Sequence, residues 1–271
     1  MTRLTSDDVR PIPRTIKDYD RDLKAKIGKS LIDLAKYLAD SQEMDQVIMK
    51  SKAAVVPITA GQGIIEGFTE AVASILKYIG MDAFVTQKTD VAGFAEAFSK
   101  NVDLLFAGDD SVFSVFNLNK KKIVDNSFAT GRAYATALEL AIRGLEGKTV
   151  LVIGAGRVGL SAIDYLIKKG AKVIVIEIDK EKVAWLKKIY KDHLTIMDTL
   201  DEAIKYTRLI LIAAPVHGLL DESMIDSKTI VSSPAIPSGL KESALKKLPA
   251  KNLIHDPLQI GVVAMAALAL K

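Results

Sequence analysis

The segment from Thr149 to Gly159 constrains the fold of this chain more than any other part of the sequence. A short apolar strand pattern runs directly into Gly154-x-Gly156-x-x-Gly159, and apolar residues at helical spacing follow it. In this setting the first glycine lets the chain turn sharply, the second leaves room for a phosphate, and the third lets the helix pack closely on the strand. The segment therefore predicts a dinucleotide-binding strand, turn and helix within an α/β fold.

An acidic residue stands where such a site needs one to bind the adenosine ribose. The next apolar strand pattern, 173–176, ends at Glu177, whose carboxylate can accept hydrogen bonds from the ribose hydroxyls. Its charge repels a 2′-phosphate, which favours NAD over NADP, and Asp179 is the alternative acid. Small residues and prolines also follow two later strand patterns, at the sheet edge where ligands bind. The residues expected to hold NAD are Gly154, Ala155, Gly156, Arg157, Val158, Glu177, Ala213, Ala214, Pro215 and Pro234.

Strand and helix patterns alternate along most of the chain, which is typical of a mostly parallel sheet with helices on its faces. We predict an α/β protein with an N-terminal helical region or lid at 1–52, a small central α/β unit at 53–128, and a C-terminal Rossmann-type doubly wound parallel sheet at 129–271. The central unit is expected to open with a strand at 53–59 and a helix at 64–79.

Several local patterns add finer expectations. Pro11 and Pro13 are expected to break any helix ahead of the amphipathic pattern at 24–40. The run Lys120 to Lys122 is interpreted as a solvated turn within an irregular stretch that can hold a hairpin. A closing helix is expected from about residue 258.

The composition excludes several classes of chemistry. The chain of 271 residues has no cysteine, which rules out disulfides, thiolate metal sites and a catalytic thiol. Its three histidines share no metal-ligand spacing, so no metal site is expected. The net charge of +4 is spread along the chain and does not form the basic stripe that nucleic acid binding needs. No segment is typical of a secretory signal or a membrane span, so a cytoplasmic location is expected.

The central unit is expected to supply the substrate side of a cleft, at the ends of its strands. The loop 59–63 precedes a helix and either anchors a carboxylate or amide or is a plain turn. Asp109 and Asp110 follow a buried strand pattern and suit a cationic amine, one of them also as a base, unless they only cap a helix or form a turn. Asn126 and Asp256 are further polar candidates, and His255 lies beside Asp256.

A series of motifs then gives the chain a family resemblance. The specific ones are Val56-Pro-Ile-Thr-Ala-Gly-Gln-Gly-Ile-Ile65, Gly67-Phe-Thr-Glu70 and Ala107-Gly-Asp-Asp-Ser-Val-Phe113, followed in order by Thr130-Gly131, the Gly154 turn, Ser233-Pro-Ala-Ile-Pro237 and Pro257-Leu-Gln-Ile-Gly261. With these motifs the chain resembles the pyrrolysine synthase (PylD) family from about residue 55 onward. The resemblance implies a homodimeric, NAD-dependent dehydrogenase. It would oxidise the terminal amine of 3-methyl-D-ornithyl-Nε-L-lysine to a semialdehyde or imine that cyclises to pyrrolysine.

The resemblance also implies roles for individual residues. Asp109 corresponds to a substrate-contacting acid, which we take as the catalytic residue, and Asn126 to a polar substrate contact. Ala60 departs from the family pattern, which has Ser there, and Thr59 beside it is the hydroxyl that can replace the missing contact. The residues expected to bind the substrate are Leu4, Thr59, Ala60, Asp109, Asn126 and Asp256.

Other functions remain open at this point. The first is a related NAD(P)-dependent dehydrogenase of another small amino or hydroxy acid, similar to dipicolinate synthase or shikimate dehydrogenase. A second is a nucleotide-sensing regulatory module, against which residues 1–52 show no recognition helix with a basic face. A third is a Rossmann-like domain that has lost its ligand or keeps it only for structure.

Overall fold

The computed structural model describes residues 4–271, whose strands form two sheets flanked by helices. The helices are α1 (Ser6–Val9), α2 (Ile12–Ile27), α3 (Leu31–Ala39), α4 (Met44–Lys50), α5 (Phe68–Tyr78), α6 (Asp90–Ser99), α7 (Asn126–Ile142), α8 (Arg157–Lys168), α9 (Lys180–Tyr190), α10 (Leu200–Ala203), α11 (Glu242–Lys247) and α12 (Gln259–Leu270). The strands are β1 (Lys52–Val56), β2 (Asp82–Val85), β3 (Leu104–Gly108), β4 (Phe113–Asn117), β5 (Lys122–Asp125), β6 (Thr149–Ile153), β7 (Lys172–Ile176), β8 (Leu194–Ile196), β9 (Leu209–Ile212), β10 (Ile230–Ser233) and β11 (Leu253–His255).

The second sheet has the strand order of a doubly wound dinucleotide-binding fold. Its order is β11-β10-β9-β6-β7-β8, and every neighbouring pair is parallel. After β6 the chain adds β7 and β8 on one side of β6, and β9 then pairs with β6 on the opposite side. The strand order therefore reverses between β6 and β9, which is the point at which folds of this type bind ligands. The predicted fold class is confirmed. The patterns of β8 and β11 escaped prediction because strands of three residues carry too little periodicity.

The first sheet is mixed, in the order β2-β1-β3-β4-β5. The central strand β1 pairs in parallel with β2 and β3, whereas β3, β4 and β5 form an antiparallel meander. The hairpin expected in the irregular stretch is therefore present as β4 and β5. Because β1 and β3 are parallel, their carboxyl ends open on the same side, towards the loops at 57–67 and 109–112.

The helix predicted from residue 64 begins only at Phe68. Gly61, Gly63 and Gly67 have φ angles of 71°, 82° and 87°, which a right-handed helix does not allow. The segment ahead of α5 is consequently a loop, although its apolar spacing continues that of the helix.

Helices α1 to α4 contribute side chains to the hydrophobic cluster around the first sheet, which we call the first core. Val9, Ile12, Ile16 and Leu23 are buried in the same cluster as the side chains of β1 and β3. The expectation that the prolines break any early helix is wrong, because Pro11 is the N-cap of α2 and Pro13 lies in its first turn. Proline is tolerated in the first turn because the N–H groups there have no partner within the helix. Residues 12–50 thus contribute to a packed core, and a lid role for the N-terminal region 1–52 stays a prediction.

The last helix, α12, also belongs to the first core, and all its residues are buried. Its terminal carbonyls are bonded by side chains from β4, β5 and their turn. Lys122 Nζ donates to Leu268 O at 2.7 Å, Asn117 Nδ2 donates to Ala269 O at 2.9 Å, and Lys120 Nζ donates to Leu270 O. The lysine run lies at the exposed turn between β4 and β5, as predicted, and Lys120 and Lys122 in addition place their ammonium groups at the negative end of a buried helix.

The described residues include no helix that combines the length and the apolar character needed to cross a membrane.

Gly131→Ala is expected to destabilise the protein by about 1–3 kcal/mol, the cost typical of overpacking a tight core. A Cβ at residue 131 of α7 would lie 2.1 Å from the carbonyl oxygen of Val158 in α8. Urea denaturation of the purified protein measures the loss. Gly156→Ala is the matched control, since a Cβ there meets no atom within 4 Å. Equal stability of the two variants would show that α7 and α8 are not in such close contact.

Candidate active site

A cavity of about 340 Å³ lies where the carboxyl ends of both sheets meet. From the first sheet it is lined by residues at the ends of β1 and β3 and by the start of α7. From the second it is lined by residues that follow β6, β9, β10 and β11. The predicted site residues that line it are Leu4, Asp109, Asn126, Gly156, Arg157, Val158, Ala213, Pro215, Pro234 and Asp256. Thr59, Ala60, Gly154, Ala155, Glu177 and Ala214 are not among its lining residues.

The three glycines of the turn after β6 differ in their conformation and in their surroundings. Gly154 has φ 91° and packs against the backbone of Ala214, so a side chain there would be strained and would clash. A Cβ on Gly159 would lie 2.0 Å from Gly154 O, so this position holds α8 against the strand end. Gly156 has an ordinary φ of −72° and open space beside it. The space beside Gly156 and the N-terminus of α8 together fit a phosphate.

The two candidate ribose acids have different partners. Glu177 accepts hydrogen bonds from Ala155 N at 2.8 Å and Asp179 N at 3.0 Å, which holds its carboxylate against the glycine turn. Asp179 instead caps α9, accepting from Glu181 N and Lys182 N, and these bonds lower the pKa of its carboxyl. Ile178 between them is 94% exposed, which leaves an apolar surface beside Glu177.

Asp109 and Asp110 have separate roles in the loop after β3. Asp109 Oδ1 accepts from Ser111 N at 2.7 Å and Val112 N at 2.8 Å, and hydrogen bonding to Val112 and Ser111 lowers the pKa of this exposed carboxyl. Asp110 Oδ2 accepts from Gln62 N at 2.6 Å, so it ties this loop to the one after β1. Both acids line the cavity, Asp109 as a stable anion and Asp110 as a link between loops.

The loop after β1 is held by acidic side chains from other elements. Thr59 bonds Asp90 twice, from its N and its Oγ1, each at 2.8 Å. Asp90 stands at the start of α6 with φ 53°, an uncommon conformation for a non-glycine residue, and its bonds to Thr59 lower the pKa of its carboxyl. Thr59 is thus engaged in loop structure, and the wall of the cavity is formed further along, by Gly63, Ile64 and Ile65.

Asn126 opens α7 at the cavity and is packed against α12. Thr130 Oγ1 lies 3.0 Å from Asn126 Oδ1, and a Cβ on Gly261 would come within 2.8 Å of Thr130 Oγ1. Glycine at residue 261 therefore lets α12 approach the polar side of α7.

Asp256 is a buried acid with a full set of hydrogen bonds. Its Oδ2 accepts from Tyr19 at 2.6 Å and from Tyr134 at 2.8 Å. Its Oδ1 accepts from Leu258 N at 3.0 Å and Ile260 N at 3.2 Å, at the start of α12. Burial and the charge of Asp256 raise the pKa of Tyr19 and Tyr134 well above the usual range, so both phenols stay protonated as donors.

Four aromatic residues that contact Asp256 or line the cavity are not among the residues predicted from the sequence. Tyr134 lines the cavity, and Tyr19 reaches Asp256 from α2, but a tyrosine on a helix resembles any core residue until its partner is known. Phe68 and Phe113 also line the cavity and meet edge to face at 5.2 Å. The motifs that contain these phenylalanines were the only signal available.

The charges on the cavity wall favour a cationic group beside the loop after β3, whereas the arginine follows the glycine turn. The charged side chains that line it are Asp109, Asp110, Asp256 and Arg157. Asp256 is already bonded by four donors, so Asp109 is the acid best suited to meet an ammonium group. Within residues 4–271, no group of three or more His, Cys, Asp or Glu side chains is arranged to hold a metal ion.

The chain is similar to known proteins along nearly its whole length. Residues 8–124 match the family described as pyrrolysine biosynthesis protein PylD, N-terminal domain, and residues 126–233 match alanine dehydrogenase/PNT, C-terminal domain. The chain is 32% identical to pyrrolysine synthase of Methanosarcina acetivorans, with 98% of both chains covered. It is 30% identical to pyrrolysine synthase of Methanosarcina barkeri, with 98% of this chain and 97% of the relative covered.

A solved structure shares the fold. Shikimate dehydrogenase from Aquifex aeolicus aligns with a TM-score of 0.52 and 19% identity, over 81% of this chain and 90% of that chain. At this identity the likeness concerns the fold alone.

Gly156→Ala is expected to weaken binding of a dinucleotide about tenfold or more, because its methyl group would occupy the space a phosphate needs. The position is open and its φ is ordinary, so the fold should be unaffected. Calorimetric titration with NAD and with NADP measures the affinity. If the variant binds either cofactor as tightly as the parent, the glycine turn is not the phosphate site.

Proposed function

This chain belongs to the pyrrolysine synthase family, and on that premise we propose that it is an NAD-dependent amine dehydrogenase. It would oxidise the carbon that bears the terminal amine of 3-methyl-D-ornithyl-Nε-L-lysine to an imine, with the hydride passing to the cofactor. Hydrolysis of the imine releases ammonia and gives a semialdehyde, and condensation of this aldehyde with another amine of the substrate, with loss of water, closes the ring of pyrrolysine. A dehydrogenase-type domain over residues 126–233 agrees with an oxidative step. The observation that carries the proposal is a single cavity that contacts both the glycine turn and the acidic loop after β3.

The residues around the turn fit a nicotinamide dinucleotide. The open space at Gly156 and the N–H groups at the start of α8 would receive the pyrophosphate. Glu177 would bind the adenosine ribose, with exposed Ile178 beside it for the adenine. Pro215 and Pro234 would form the wall for the nicotinamide. When bound, the cofactor supplies a hydride acceptor for the carbon that bears the amine.

Asp109 would hold the terminal amine and keep it in place for oxidation. Its carboxyl has a lowered pKa, so it is anionic near neutral pH and attracts an ammonium group strongly. The same property makes it a weak base, since a base works best with a pKa near the working pH. We therefore assign to Asp109 the binding and orientation of the amine, while the amine proton passes to water at the exposed edge of the loop.

The apolar wall would keep bulk water from the reacting carbon. Leu4, Ile65, Phe68 and Phe113 line the cavity on the side of the first sheet. Excluding water on this side favours transfer of the hydride from the carbon that bears the amine, whereas Asp109 itself lies at the exposed edge of the cavity. Asn126 would add one polar contact to the substrate from the start of α7.

Of the alternative substrates, a small hydroxy acid fits the charges of the cavity less well. A small hydroxy acid carries a carboxylate and no amine, and it would meet three acidic side chains against one arginine on the cavity wall. The proposed precursor carries more amines than carboxylates and suits this charge balance. The homodimer and the cytoplasmic location are carried over from the family as parts of the proposal.

Asp109→Asn is expected to lower kcat/KM for the precursor about 100-fold, the cost of losing one charged contact to the substrate. Asparagine still offers Oδ1 to Ser111 N and Val112 N, so the loop is retained. Because the pKa of Asp109 is lowered, the carboxylate is charged across the working pH range. The loss should therefore be equal at pH 6 and pH 9, as measured by NADH formation.

The matched control is Asp221→Asn, since Asp221 accepts from Ser223 N in a similar turn and does not line the cavity. It should retain full activity. Unchanged NADH formation by Asp109→Asn would remove Asp109 from the proposed mechanism.

Glu177→Ala is expected to weaken NAD about tenfold and to reduce the preference for NAD over NADP, because the carboxylate that binds the ribose and repels a 2′-phosphate is lost. Titration with both cofactors measures the two affinities. Asp179→Asn, which keeps the cap of α9, is the control. If only the Asp179 variant lost affinity, Asp179 and not Glu177 would be the ribose acid.

A further inference from the structure

An ion pair joins the first sheet to the glycine turn. Asp125, the last residue of β5, accepts from Arg157 Nη2 through Oδ2 at 2.9 Å. Its other oxygen caps α7, accepting from Ser127 N at 2.9 Å and Phe128 N at 3.3 Å. The Asp125 side chain is 22% exposed and that of Arg157 is 63% exposed. The acid is therefore fixed in place, whereas the arginine is open to solvent on other sides.

The pair is not needed to hold the two helices together. Helices α7 and α8 already touch, with Gly131 against the Val158 carbonyl and Ser161 Oγ donating to Phe128 O at 2.7 Å. What the pair adds is a direction for the arginine side chain. Arg157 is the first residue of α8, follows Gly156 and lines the cavity. Without Asp125 its long side chain would sample many rotamers in solvent.

We propose that Asp125 is a positioning residue that holds Arg157 over the glycine turn for the pyrophosphate of the dinucleotide. A guanidinium carries five N–H donors in a rigid plane, so one edge can remain on Asp125 while another binds a phosphate oxygen. The inference rests on the proposed function only in that it requires a dinucleotide in this cavity. Asp125, at the end of the first sheet, would thus contribute to a pyrophosphate site whose other residues follow β6 in the second sheet.

The charge of Asp125 and its orientation of Arg157 predict opposite changes in affinity for the dinucleotide, which makes the proposal testable. Asp125 brings a negative charge near an anionic ligand, so charge alone predicts that its removal strengthens binding. Orientation predicts that its removal weakens binding, because Arg157 must then be ordered by the ligand itself. The sign of the change separates the two.

The experiment is calorimetric titration of the full chain with NAD and, separately, with adenosine, which has no phosphate. Asp125→Asn removes the charge and keeps the cap, since asparagine caps helices as well as aspartate. We expect it to weaken NAD about fivefold to tenfold and to leave adenosine affinity and thermal unfolding unchanged. Arg157→Gln should weaken NAD at least as much. The double variant should be no weaker than Arg157→Gln alone, because both changes remove one interaction.

Asp226→Asn is the matched control, because Asp226 pairs with Arg208 at 2.6 Å and neither residue lines the cavity. It should bind NAD as the parent does. Equal or tighter NAD binding by Asp125→Asn, or additive losses in the double variant, would overturn the positioning role while the proposed function stands. If the parent bound neither NAD nor NADP, both the inference and the proposed function would fail.

Discussion

The close packing of helix α7 against its two neighbours determines the shape of the rest of the molecule. On one side Gly131 admits the backbone of α8, and on the other Gly261 admits α7 to the surface of α12. Helix α8 packs on the second sheet and α12 in the core of the first sheet, so α7 sets the separation of the two walls of the cavity. Side chains larger than glycine at these contacts would move one wall away from the other. The site consequently depends on two positions that carry no chemistry of their own.

Buried polar groups complete what close packing begins. Asp256 would be costly to bury alone, but two phenols and two backbone N–H groups satisfy both of its oxygens. The same bonds join α2, α7 and the start of α12 at the cavity wall. In contrast, Asp109 is exposed and bonded through Oδ1 to its own loop. The first acid is built into the structure, whereas the second is exposed at the cavity. This difference in burial separates two residues that the sequence had placed in one group of substrate contacts.

Local patterns predicted the elements that local forces decide. The glycine turn, its flanking strand and helix, and the parallel alternation of the C-terminal region all follow from spacing within about 30 residues. The helix predicted from residue 64 begins only at Phe68 for an equally local reason: apolar periodicity continues through 64–67, but Gly63 and Gly67 adopt φ angles that a helix excludes. Pro11 and Pro13 predict a helix break from sequence alone, because a proline in the first turn of a helix and a proline that ends a helix look the same there. Only the position of the helix start distinguishes them.

The sequence by itself determined that this chain builds a doubly wound sheet with a glycine-rich turn after β6, because those features are encoded in short segments whose conformation depends on their own residues. It could not determine the partners of Asp256, since Tyr19 and Tyr134 lie 237 and 122 positions away along the chain. Nor could it assign Lys122 to the end of α12 or Asp125 to the glycine turn. These contacts exist only in the folded chain, because hydrogen bonds and ion pairs act over a few ångströms and the fold must first bring distant residues together.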